Sequence, residues 1–165
     1  MGDVARDTII MTTERAPKSE RTTSDGYSGT PLVKKLGIKP GMVVAVLHGP
    51  PDFTETLGVL PDHVDLRASL RRQQRVDLLI VFVRERQHLT KNIGWLVETL
   101  PPDGVLWVAW PKKASGVQTD MSDDAIRKVV LPIGWVDTKV CAIDATWSGL
   151  KMVLRKELRP KAGAR

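Results

Sequence analysis

Three short stretches of this chain hold side chains that could do chemistry together. In His48-Gly49-Pro50-Pro51-Asp52 an imidazole, the group best suited to move protons near neutral pH, stands at the mouth of a turn. Residues 84–88 bring Arg84 and His88. Residues 111–120 follow Trp110 and carry Lys112, Lys113, Ser115, Gly116 and Thr119. Two cations, two hydroxyls and a flexible backbone suit an anion such as phosphate, and the same composition also suits a solvated connecting loop. The candidate ligand-binding residues are therefore His48, Gly49, Arg84, Trp110, Lys112, Lys113, Ser115 and Gly116. No residue stands out as catalytic.

Other chemistries lack their signatures. His48, His63 and His88 share no metal-ligand spacing, and the single cysteine, Cys141, has no companion, so no metal site is expected. Ser115 and Ser148 lack the strand–turn–helix glycines of a nucleophile elbow. Asp144 sits beside Thr146 and Ser148, where a short acid serves a turn's backbone groups. Lys34 and Lys35 are helix neighbours pointing about 100° apart, so one of them at most faces any given edge.

These stretches need elements to gather them. Residues 42–47, 76–83 and 105–110 are continuous apolar runs rich in β-branched residues, the pattern of strands covered on both faces. Each is followed by a glycine-, proline- or charge-rich break. Helices are predicted over 32–36, closed by Gly37, over 52–58 with Asp52 as its cap, and over 87–100. A fourth opens at Ser122, carries Ile126, Val129, Val130 and Ile133 inward, and stops at Gly134. Residues 63–66 form a weak strand candidate. Residues 135–143 and 150–155 read as a closing antiparallel hairpin, because the link between them is too short for a crossover helix. Trp107 and Trp110 fall on opposite faces of their strand. The expected fold is α/β: a doubly wound, mostly parallel sheet with a C-terminal antiparallel hairpin. In such sheets ligands bind beyond the carboxyl ends of the parallel strands, where the three stretches meet.

Two resemblances follow. The run 76–83, the turn Leu100-Pro101-Pro102-Asp103-Gly104 ahead of the third apolar run, and the final hairpin resemble the S-adenosylmethionine-dependent methyltransferase-like Rossmann fold. That resemblance implies a glycine-rich turn after the first strand and an acid at the end of the second for the cofactor's ribose. The turn present here, His48 to Asp52, has one glycine and two prolines, and Asp65 is the only acid near the second position. The resemblance admits S-adenosylmethionine or a nucleotide, while the residues call for no cofactor. Residues 26–156, with Gly26-Tyr27-Ser28-Gly29-Thr30-Pro31, Trp107-Val108-Ala109-Trp110-Pro111-Lys112-Lys113 and Trp147-Ser148-Gly149-Leu150-Lys151, are similar to a bacterial family of domains of unknown function, number three-zero-five-two.

The expected organisation is a disordered tail over 1–25, one domain over 26–156, and a basic disordered tail over 157–165. Much of the formal net charge of +6 gathers near the C-terminus. That tail could touch a phosphate backbone, but no basic–aromatic interleaving of the single-strand-binding kind accompanies it, so a nucleic-acid partner is not expected. With no membrane span, no signal segment and one thiol, the chain reads as cytoplasmic. Three functions fit: a non-catalytic or weakly catalytic module binding an anionic small molecule or a protein, a minimal methyltransferase or nucleotide-dependent transferase, and a nucleic-acid-associated protein. A homodimer is compatible with the exposed sheet edges.

Overall fold

A computed structural model describes residues 30–160. The six strands are β1 Val43–Leu47, β2 Asp65–Arg67, β3 Leu78–Phe82, β4 Val105–Pro111, β5 Trp135–Ala142 and β6 Trp147–Leu154. The helices are α1 Leu32–Leu36, α2 Phe53–Leu57, α3 Arg86–Glu98 and α4 Asp123–Val130, with 3-10 turns at Lys113–Ser115, Leu131–Ile133 and Lys156–Leu158. The strands form one sheet in the order β2-β1-β3-β4-β6-β5. β2, β1, β3 and β4 run parallel, and β6 pairs antiparallel with both β4 and β5. This is the mixed α/β sheet that the alternating apolar runs predict.

Every residue of β3 is buried, as a central parallel strand requires. Alternation then divides the core. Leu79, Val81, Leu106 and Val108 face the side covered by α3 and α4. Leu78, Ile80, Phe82, Trp107 and Ala109 face the side covered by α1 and α2. Trp107 and Trp110 indeed take opposite faces, Trp107 fully buried and Trp110 half-buried. The Trp107 indole N–H donates to the carbonyl of Leu36 at 2.9 Å and ties the end of α1 to β4. At the start of β3, Asp77 accepts from the Val43 N–H at 2.8 Å, and its main chain bonds both Val43 and Val105. One acid thus sets the register of β1, β3 and β4.

Several local expectations need correction. Ser122 does cap α4, accepting from the Ala125 N–H at 3.0 Å, but α4 ends at Val130 and a 3-10 turn containing Pro132 follows. The tighter winding changes the phase, so Ile133 is exposed rather than inward. Asp52 precedes α2 without a side-chain cap bond. Its main-chain carbonyl accepts from Thr56 instead. β6 starts three residues earlier than predicted, because Asp144 Oδ1 accepts from the N–H groups of Thr146 and Trp147 and closes the turn early. The predicted N-terminal tail, and the start of the domain at 26, lie outside the described residues. At the other end the described residues run to 160: a 3-10 turn spans Lys156–Leu158, Arg159 Nε donates to the Leu154 carbonyl, and 161–165 of the predicted tail lie outside the described residues. Leu158 holds that segment by lying against Gly134. No helix among the described residues is long and apolar enough to cross a membrane.

Two stability outcomes follow. Trp107→Phe keeps most of the packing but leaves the Leu36 carbonyl without its buried donor. It should cost about 1–3 kcal/mol by urea denaturation. Gly134→Ala puts a side chain at φ +96° and directly against Leu158. It should destabilise by about 1 kcal/mol or more, and shortening Leu158 to Ala in the same chain should recover the clash but not the backbone strain.

Candidate functional site

The parallel strands deliver their carboxyl ends to one rim, and an open cleft of about 1040 Å³ lies there. β1 ends in His48, which takes a left-handed backbone conformation, φ +59°. That is uncommon for a residue with a side chain and turns the following Gly49-Pro50-Pro51 across the rim. Gly49 packs so close that an added Cβ would sit 3.0 Å from Val46 and 3.5 Å from Phe82. From β3 the chain passes Phe82 and Val83 to Arg84 and Glu85, then enters α3, whose first turn carries His88. A third wall comes from the loop after β4. Thr119 Oγ1 donates to the Arg84 carbonyl at 2.6 Å and accepts from the Met121 N–H. Asp120 Oδ1 accepts from the Arg86 N–H at the opening of α3 at 2.7 Å. These bonds strap the third stretch onto the second. The hairpin supplies the fourth wall: Trp147 opens β6, opposite Pro111, and stands edge-on to Phe82 with ring centroids 4.9 Å apart.

Four rings therefore define the cleft. Phe82 and Trp147 make an apolar surface, backed by Phe53 at 5.0 Å from Phe82. His48 and His88 face each other with centroids 5.1 Å apart. Among the described residues Arg84 is the one guanidinium or ammonium side chain lining the cleft, against the carboxylates of Glu85 and Asp120. Such a site can sandwich a flat ring and bond its polar edge, with Arg84 available for one negative group. Among the described residues no group of three or more His, Cys, Asp or Glu side chains converges on a metal position.

Of the eight candidates read from the sequence, His48 and Arg84 line the cleft, and Gly49 lies in its rim turn. Trp110 packs against the core on the α3–α4 side. Lys112, Lys113, Ser115 and Gly116 make up a 3-10 turn with its flanking residues, tied to the hairpin where the Lys112 N–H donates to the Thr146 carbonyl at 2.8 Å. Ser115 Oγ donates to the Lys112 carbonyl and accepts from the Val117 N–H, and Lys113 is exposed. It is the end of that loop, at Gln118, Thr119 and Asp120, that reaches the cleft. His88 and Trp147 are lining residues that sequence reasoning left out of the site. His88 lay in a stretch already expected at the rim. Trp147 reaches it only through the antiparallel register of β6 on β4, which no local pattern reveals. Lys34, Lys35 and Cys141 lie elsewhere, beside Lys139 between α1 and the hairpin. There burial pushes the Cys141 thiol up, with Lys35 and Lys139 pulling in the opposite direction.

The donor set implied by the methyltransferase resemblance is not reproduced at this rim. Pro50 and Pro51 have no N–H to offer, and the Pro50 carbonyl is taken by the Phe53 N–H. Asp65 pairs opposite Val43, at the start of β1 and so at the far end of the sheet, and its carboxylate is bonded by Arg67 at 3.0 Å. The last residue of β2 is Arg67, not an acid.

No family model matches the chain, and no curated protein matches it in sequence. Solved structures do match in shape. An S-adenosylmethionine-dependent methyltransferase from Aquifex aeolicus superposes with a TM-score of 0.54 at 14% identity, over 74% of this chain and 88% of that one. DhpI, solved as a complex with SAH, gives 0.54 at 12% identity, over 76% and 83%. The magnesium protoporphyrin IX methyltransferase ChlM of Synechocystis PCC 6803, solved with bound SAH, gives 0.51 at 13% identity, over 75% and 78%. At these identities the likeness is one of fold: the chain has the Rossmann-like frame on which those methyltransferases are built.

Proposed function

We propose that this protein is a binding module for a small, flat, anionic molecule, held at the rim of a methyltransferase-like sheet. The observation that carries the reading is the gathering of Phe82, Trp147, His48, His88 and Arg84 in the lining of one cleft. Trp147, half-buried over Phe82, receives the ligand's plane, and Arg84 receives its charge. The carboxylates of Glu85 and Asp120 limit how much negative charge the cleft accepts, which favours a monoanion over a polyphosphate. Asp120 also has a structural duty at the start of α3, so the loop that closes the cleft and the helix that carries His88 move as one unit.

A second reading, a minimal methyl-donor-dependent transferase, is favoured by the frame and by the position of the cleft at the carboxyl ends of the strands. Against it stand the prolines after His48 and the absence of an acid at the end of β2.

Titration of the full chain with benzoate, adenosine monophosphate and S-adenosylmethionine, followed by calorimetry and tryptophan fluorescence, separates the two. Benzoate or the monophosphate should bind, and Arg84→Ala should weaken that binding about tenfold or more, the loss of a charge-assisted hydrogen bond. Trp147→Phe should keep binding and remove most of the fluorescence response. Unchanged anion affinity in Arg84→Ala would overturn the binding-module reading. Tighter binding of S-adenosylmethionine than of either anion would put the transferase reading in its place.

A further inference from the structure

A second, smaller cavity of about 60 Å³ lies between the sheet and α3, and His48 and His88 line both it and the open cleft. The two imidazoles are thus the partition between the compartments. The rest of the small cavity is apolar: Leu47, Val81, Val83, Leu89 and Leu96 make its walls, with the Trp95 ring across it. Its polar atoms are already used. Asn92 Nδ2 donates to the His88 carbonyl at 2.9 Å, and Asn92 Oδ1 accepts from the Trp95 indole N–H at 2.9 Å. Apart from the two imidazoles the walls present hydrocarbon, so the inner part of the space suits an apolar group.

The fixed and the movable walls differ. Trp95 is pinned by Asn92 and carries the Arg72 guanidinium over its ring at 5.4 Å. The strand residues are core. By contrast, no side-chain hydrogen bond among the described residues holds either imidazole, and both residues are exposed on the cleft side. The two imidazoles are therefore the least restrained part of the partition.

We propose that the small cavity is an inner compartment of the same site and that it selects flat anionic ligands bearing a short aliphatic group of one to three carbons. The ring stays between the aromatic walls, and the aliphatic group passes between His48 and His88. This rests on the binding-module reading above, with one part independent of it: the cavity itself should take an apolar atom whatever occupies the cleft.

Benzoate and its para-methyl, para-ethyl and para-propyl derivatives test the pairing of compartments, and xenon, seen in pressurised crystals of the full chain, tests the cavity alone. Affinity should rise about fourfold with each added carbon until the space is filled, then stop rising or fall. Xenon should seat beside Trp95. Val83→Ile, which adds one carbon to the cavity wall, should reduce the gain from the longer alkyl groups and leave benzoate binding unchanged. If that variant does not fold, the alkyl series and xenon on the unmodified chain still decide. Benzoate bound with no dependence on the alkyl group would overturn the inner compartment and leave the cleft reading intact. No xenon beside Trp95 would overturn it as well. Failure of every benzoate to bind, with xenon seated, would overturn the cleft reading while keeping the cavity as an apolar site.

Discussion

The structure depends on burying β3 on both faces. A strand with five apolar residues and no solvent-facing side must satisfy its backbone through neighbours on both edges and must be covered above and below. β1 and β4 supply the edges in parallel, and parallel neighbours require crossovers that carry the chain over a face of the sheet. That is why helices lie on both sides, why Leu79 and Val81 serve one core while Leu78 and Ile80 serve the other, and why the strand exits collect at one rim. The cleft is a consequence of this geometry before it is a consequence of any particular site residue.

Two polar contacts lock the arrangement at places where packing alone would leave freedom. Apolar strands slide in register by two residues with little change in what they bury. Asp77, bonded to Val43 through side chain and main chain and to Val105 through its carbonyl, removes that freedom at the foot of the sheet. The bond from Trp107 to Leu36 fixes α1 over one face of the core. Surface ion pairs contribute less. Arg127 gathers Asp123, Asp124 and Asp137, which raises its already high pKa, chiefly through the bond to Asp137, and so adds orientation of α4 against β5 rather than much stability.

At the rim the chain departs from the frame it shares with methyltransferases. Where that resemblance implies glycines, it has a histidine at positive φ followed by two prolines, a stiff turn with few donors. Where the resemblance implies an acid, β2 ends in Arg67. The space those features would serve is bounded here by imidazoles and aromatic rings. The sheet is alike while the edge presents different residues, in keeping with the independence of fold and chemistry.

The sequence by itself determined the class of fold. The runs at 42–47, 76–83 and 105–110 are too apolar and too β-branched to be half-exposed strands, and the helical spacing of Leu89, Ile93 and Leu96 between two of them leaves a parallel sheet as the economical solution. It also determined local devices that act through neighbours in the chain: the Ser122 cap, the Asp144 turn and the Gly37 stop of α1. Only the tertiary structure decided which side chains share the cleft. Lys112 and Ser115 suit an anion by type, yet the Ser115 hydroxyl is bonded within its own turn and the loop reaches the cleft three residues later, at Gln118. His48 and His88 are forty residues apart and meet because β1 and β3 are adjacent. Trp147 arrives through a cross-strand register that joins it to Pro111. Caps and turns are written over three or four residues and can be read there, whereas a cleft is assembled from strand order and register, which are set by long-range burial.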